Sequence, residues 1–300
     1  MATLKRTILA FFIAFAACFS GPAASAEDAV KHFRIGLIGA DPGQLLRDFD
    51  PFMEYLRSRL RSSGIRDVTV FVARDLDQMR DRIKQGKLDF IFTSAFPLVD
   101  LECNGVAPAI VAVQGSAREY SAVFFVREES PLHGLRDLRG KTIVYGTSSS
   151  TTGFAMARAE LIMNELFLCE ETDEYAPADA VRYQFAGEAI NQAFRVIRSR
   201  ANVGVFSSSD WEELPLNIQS QLRVIHRTAP ITRLLGSFDR SVTRVLREDV
   251  EKTLVEMSGD REGRTALAAA GNMTRFERLT EEDRSALKDL KQQLAAPDAE

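Results

Sequence analysis

The regular exchange of two hydrophobic periods constrains this chain most. Short β-branched or aromatic runs, "FRIGLIG" (33–39), "VTVFVA" (68–73) and "LDFIFTS" (88–94), are separated by helix-like stretches, and "AIVAVQ" (109–114) and "YSAVFFVR" (120–127) follow. A second series begins near residue 136 with "KTIVYG", a helix over roughly 152–168, "VRYQF" (181–185), "GEAINQAFRVIRSR", "NVGVFS" (202–207) and "LRVIHR" (222–227). Strands alternating with helices predict an α/β fold built on mainly parallel sheets. Asp50-Pro51 is expected to open the first helix, with Pro in its first turn. Asp75 caps the second and Gly86 stops it. Beyond about 228 the pattern is mostly helical. At 300 residues the chain has room for two ordinary domains. "GKLDFIFTS" and "RANVGVFSS" each follow an amphipathic stretch and end in hydroxyls. That parallel predicts two lobes, 33–118 with 228–300 and 119–227, each showing polar residues at the carboxyl edge of a strand, where such sheets bind ligands.

The first 26 residues stand apart. Lys5 and Arg6 precede an apolar run from Ile8 to Phe19, which leads to Ala24-Ser25-Ala26. This is the layout of a secretory signal peptide cleaved after Ala26, and the run is short for a bilayer span. Cys18 would be the site of a lipid anchor, but Phe15 stands where a lipobox has leucine. A periplasmic location is expected. Losing Lys5 and Arg6 moves the formal charge from −4 to −6, which argues against nucleic-acid binding. Cys103 and Cys169 remain in an oxidising compartment, but both lie in apolar helix-like ends and are expected to be buried thiols. His32, His133 and His226 are scattered without metal-site spacing, and no cofactor fingerprint is present.

One junction is chemically unusual. In "VYGTSSSTTGF" (144–154), five consecutive hydroxyl residues follow Thr147, between a strand-like and a helix-like run. A helix start carries partial positive charge and unpaired N–H groups, and hydroxyls both donate and accept. With Gly153 permitting close approach, the stretch is suited to cradle an oxyanion without a fixed charge. A single cap would need only one such residue. It is not a Walker A loop, since Phe154 follows Gly153, and "GTSSS" lacks the second glycine of a nucleophile elbow.

"SSTTGF", followed by "FAGEAINQAFRVIRSRANVGVFSS", resembles the phosphonate, phosphite and phosphate-binding proteins of ABC transporters, over about residues 33–260. The resemblance implies a two-lobed type II periplasmic-binding-protein fold with a ligand cleft between the lobes. It implies that Ser150, Thr151, Thr152 and Gly153 hold the oxyanion and that Thr93 and Ser94 face them across the cleft. Glu188 stands where the family has histidine; it is expected either to be a solvated acid at a helix start or to be protonated, turned away or paired, with Arg118 or Arg233 as candidate partner or as a direct ligand contact. Leu76 stands near a family tyrosine, as does Glu119, which Tyr120 follows. Asp210 is near one of the acids that grip an aminoalkyl group, and Leu234 and Leu235 occupy the region of the other. The implied function is non-enzymatic: a monomeric receptor closing about hinges near 115–121 and 225–232 and delivering a small oxyanion to an ABC permease. The alternative is a sensory receptor that takes a different small ligand to a histidine-kinase ectodomain. Trp211, Phe124 and Phe125 read as core, and "TEEDRSALKDLKQQL" as a capped surface helix bracing the first lobe.

Overall fold

Fourteen strands form two six-stranded sheets and one two-stranded ribbon among residues 31–39 and 41–295, which the computed structural model describes. The signal-peptide reading, including Cys18, lies outside the described residues. The first series is β1 (Lys31–Ile38), α1 (Pro42–Arg59), β2 (Ile65–Ala73), α2 (Leu76–Lys84), β3 (Phe90–Thr93), α3 (Ala95–Glu102) and β4 (Val106–Gln114). After β5 (Glu119–Tyr120) come β6 (Ala122–Arg127), β7 (Thr142–Tyr145), a π-helix over Thr151–Met156 continuous with α4 (Ala157–Met163), β8 (Leu168–Glu170) and β9 (Val181–Phe185). Then follow α5 (Ala189–Ile197), β10 (Val203–Ser207), α6 (Ser208–Glu213), α7 (Leu216–Gln219) and β11 (Leu222–Arg227). The chain ends with β12 (Ile231–Thr232), β13 (Leu234–Asp239), α8 (Arg244–Glu256), α9 (Arg261–Ala269), β14 (Met273–Arg278) and α10 (Glu281–Ala295).

The first sheet has the order β14-β4-β13-β3-β1-β2 and the second β11-β6-β10-β7-β9-β8. The expected two-lobed α/β architecture is present, with one difference in detail. The first sheet is mixed rather than mainly parallel: β1, β2 and β3 run parallel, whereas β13 lies antiparallel between β3 and β4, and β14 antiparallel on β4. Antiparallel neighbours need no crossover helix, so the chain returning from the second sheet enters the first directly as β13. The stretch beyond 228 is mostly helical, as expected, in α8, α9 and α10, and it also supplies one inner strand and one edge strand. Gly236 explains how β13 fits there, because a Cβ at that position would lie 2.3 Å from Phe90 Cζ and 2.5 Å from Ile110 Cγ2.

Helices cover both faces of each sheet, giving four apolar clusters. The cluster under α1 is rich in phenylalanine, with ring centroids 4.8 Å apart for Phe90–Phe238 and 5.0 Å for Phe90–Phe92. Phe124 and Phe125 alternate on β6 and are buried in different clusters, one on each face of the second sheet. Trp211 packs on Phe125 and Phe206, as expected for core.

Helix α1 begins earlier than the Asp50-Pro51 pair suggests. Asp41 caps it by accepting from the Gln44 N–H at 2.9 Å, and Pro42 opens its first turn. Pro51 lies inside the helix and removes one backbone bond. Phe49, Phe52, Tyr55 and Leu56, buried around it, hold the helix on the sheet. The helix expected over 152–168 ends at Met163, and Leu168 and Cys169 belong to β8 instead. The expectation of two buried thiols holds only for Cys169: Cys103 follows the last buried turn of α3 and is exposed, and the two are unbridged.

Two crossings join the lobes, after β4 and after β11, and there β5 and β12 pair antiparallel. The α10 start locks this ribbon. Thr280 and Asp283 form a capping box, each accepting the other's backbone N–H. The Asp283 carboxylate, 3% exposed, also receives both terminal guanidinium nitrogens of Arg118 (2.8 and 2.6 Å) and the Thr232 hydroxyl (2.8 Å). Arg118 further donates to Glu277 of β14. Burial opposes ionisation of Asp283, but Arg118 and the threonine hydrogen bonds outweigh it and hold the carboxyl well below the usual carboxylate range. A depressed carboxyl stabilises the fold fully above its unfolded value near 4, and that contribution is lost as pH falls below it. Asp283→Asn should cost about 3–5 kcal/mol at neutral pH, since it leaves Arg118 underpaired. In Tm measured against pH, the gap between wild type and the variant should narrow below about pH 4.

Candidate functional site

β3 and β7 both run into helices at their carboxyl ends, and these two helix starts meet. Ser94 links β3 to α3, and residues 146–150 link β7 to the π-helix. The Thr151 hydroxyl accepts from the Phe96 N–H at 3.0 Å and donates to Ser94 Oγ at 3.0 Å. Ser94 occupies the N-cap position of α3 but makes no capping bond of its own. Its helix is capped instead by a hydroxyl from the other lobe. Ser94 and Thr151, expected to face each other across a cleft, are in direct contact.

The hydroxyl loop divides its labour. Ser150 Oγ accepts from the Gly153 N–H at 3.0 Å and caps the π-helix. A Cβ at residue 153 would lie 2.7 Å from that oxygen, so the glycine makes room for the Ser150 cap. Thr152 is wholly buried and its hydroxyl has no partner among the described residues. Phe154 anchors the start on the second sheet, 5.1 Å from the Tyr145 ring and 5.2 Å from Phe185. Ser148 and Ser149, one turn earlier, stay open and line a cavity of about 640 Å³.

That cavity draws on both lobes. Thr93 and Ser94 contribute from the end of β3, Arg74 and Leu76 from the end of β2 and the start of α2, and Gln114 from β4. Leu37, Leu45, Phe49 and Phe92 form its apolar wall. A smaller cavity of about 230 Å³ lies along α5 and takes all its lining from the second lobe, Arg195, Arg198 and Arg200 included. The strand ends point to the larger one.

The remaining expected residues are placed as follows. The Tyr120 phenol, on the ribbon, lies beside the Thr151 and Ser94 hydroxyls. Burial pushes its pKa up against the influence of those hydroxyls and of Arg233, so it stays protonated at neutral pH. The Asp210 carboxylate accepts from the Ser207 hydroxyl at 2.7 Å and closes the capping box of α6. Glu188 is exposed at the N-cap of α5 without a capping bond. Its candidate partners are engaged elsewhere, Arg118 with Asp283 and Arg233 with Ser209 Oγ at 2.7 Å. Among the described residues no three His, Cys, Asp or Glu gather as a metal site. Of the lining residues, Ser148 and Ser149 open the hydroxyl run that the sequence singles out, whereas Arg74 was not singled out. The position of Arg74 directly after a strand was the available signal.

The Thr151 contact has a measurable consequence. Thr151→Val leaves the Phe96 N–H unpaired and should lower stability by about 1–3 kcal/mol in denaturant unfolding. Thr151→Ser, which keeps the hydroxyl, should lose far less. Gly153→Ala should displace the Ser150 cap at a cost of about 0.5–2 kcal/mol.

The family model for the periplasmic substrate-binding protein of phosphonate ABC transporters matches residues 37–284. No curated protein matches the chain. XAC2383 from Xanthomonas citri, solved with chloride ion, is 26% identical with a TM-score of 0.81, over 88% of this chain and 97% of that one. Its ATP-bound structure is 25% identical with a TM-score of 0.80, over 88% and 96%. PhnD1 from Prochlorococcus marinus, solved with methylphosphonate, shares the fold at 15% identity and a TM-score of 0.63, over 88% and 98%.

Proposed function

Because the chain belongs to the family of periplasmic substrate-binding proteins of phosphonate ABC transporters, we propose that it captures a small molecule bearing a phosphonate-class oxyanion and presents it to a permease. The observation that carries the reading is the cavity of about 640 Å³ to which both lobes contribute hydroxyls, Thr93 and Ser94 from one and Ser148 and Ser149 from the other, beside Arg74. Hydroxyls and helix-start amides bind an oxyanion by hydrogen bonds, and one guanidinium supplies charge at the rim. The protonated Tyr120 phenol adds a donor beside Ser94 and Thr151.

Ser150, Thr151, Thr152 and Gly153 in this reading build and position the cradle, while Ser148 and Ser149 reach the ligand. Asp210 holds α6 and Glu188 stands at the rim. The lobes close about the β5–β12 ribbon, a hinge in which two short crossings absorb the motion. The protein is exported to the periplasm, works as a monomer and binds and releases its ligand without turnover. The ligand names attached to related structures, methylphosphonate and ATP, share a phosphorus oxyanion, which supports the class.

Thermal-shift and calorimetric titration against phosphate, phosphite, methylphosphonate and ATP tests this. A ligand at 100 times its Kd adds about 2.7 kcal/mol, which for a chain of this size raises Tm by roughly 5–10 °C. Ser148→Ala with Ser149→Ala should abolish most of the shift while leaving the unliganded Tm close to wild type. A folded protein that responds to no phosphorus oxyanion would overturn the proposal.

A further inference from the structure

The cavity is larger and more apolar than a bare oxyanion needs. We infer that its ligand joins the oxyanion to a bulky apolar body, an alkyl chain of several carbons or an aromatic ring. The inference rests on the oxyanion reading of the same cleft and specifies what is attached to the anion.

Three observations carry it. The first is volume: about 640 Å³ falls in the range of roughly 300–1,000 Å³ typical of pockets for organic ligands of drug size. The second is the wall. Leu37 at the end of β1, Leu45 and Phe49 on α1, Phe92 on β3, Leu76 at the start of α2 and Leu234 at the start of β13 converge from five elements. A hydrated ion set against that wall would lose water contacts and receive no hydrogen bonds in return. An apolar group there is freed from water, and each buried methylene strengthens binding by about 0.8 kcal/mol, close to fourfold.

The third observation is the separation of polar and apolar lining. Arg74, Ser94, Ser148 and Ser149 provide the charged and hydroxyl part. The Arg74 guanidinium pairs with no carboxylate among the described residues. The adjacent Asp75 is committed to the Gln78 N–H, at 2.8 Å, as the cap of α2. A cation and hydroxyls set apart from an apolar wall match an amphiphilic anion, and the Asp75 carboxylate in the same lining is turned to the α2 amide end through Oδ1.

Calorimetry on the full mature chain with phosphate, methylphosphonate, butylphosphonate, phenylphosphonate and neutral 1-butanol and benzyl alcohol decides the matter. Affinity should rise from methyl to butyl by about fourfold per methylene, with phenylphosphonate also well above methylphosphonate and neither alcohol binding comparably. Leu234→Asn should reduce the butyl-to-methyl ratio about tenfold or more while methylphosphonate affinity holds. If methylphosphonate binds and the longer members bind no better, the inference falls and the oxyanion reading stands. If the alcohols bind as tightly as the phosphonates, or nothing in the series binds, the oxyanion reading falls and takes the inference with it. The wild-type series alone gives these outcomes, so a poorly folded variant does not remove the test.

Discussion

The Asp283 carboxylate is the constraint on which the two-lobed arrangement depends. Two separate stretches of chain must pass between the sheets, and each is too short to hold its own position. Asp283 takes Arg118 from one crossing and Thr232 from the other, and it caps the helix on which it sits. A buried charge is costly unless its acceptor sites are filled. Here they are filled from three parts of the sequence at once, so a displacement of any one leaves unmet hydrogen bonds at the others. The knot therefore fixes the axis about which the lobes sit, and it does so on the first-lobe side, where α10 packs with α3 and the ribbon.

From that axis the cleft follows. Tyr120 belongs to the ribbon yet reaches Ser94 and Thr151, so the pivot and the meeting point of the two helix starts share a side chain. The Thr151 hydroxyl serves the amide end of α3, a position otherwise suited to an anion. In the proposed function the inter-lobe contact and ligand recognition draw on neighbouring donors of the same cleft. Cleft shape and lobe angle are coupled through them, without any need for a longer relay.

Much of this was legible in the sequence, and the exceptions have physical causes. The parallel halves of both sheets were readable because buried strands give continuous apolar runs such as "FRIGLIG" and "TIVY". β13 was hidden: Gly236-Ser237 in its middle reads as a turn, and the need for glycine arises only from Phe90 and Ile110 on neighbouring strands. The start of α1 was misplaced because two proline pairs compete, and only tertiary packing shows that the interior Pro51 is tolerated. At the site, the hydroxyl loop announced itself by composition, but which hydroxyls face outward did not. That depends on Ser150 being spent on Gly153 and Thr151 on Phe96. Glu188 likewise looked like a pocket residue by position, yet nothing local could show that both candidate arginines were already engaged.

The π-helix at Thr151–Met156 carries a consequence for the direction of the loop before it. The Ala155 N–H reaches back five residues to the Ser150 carbonyl, and a turn wound this wide holds one residue more than an α-turn. Removing that residue would let the segment tighten, turning everything before it by about 100° relative to α4. Serines now directed at the cleft would swing away, although sheet and helices remained intact. The length of this segment therefore governs where Ser148 and Ser149 point more than the identity of any one hydroxyl residue does.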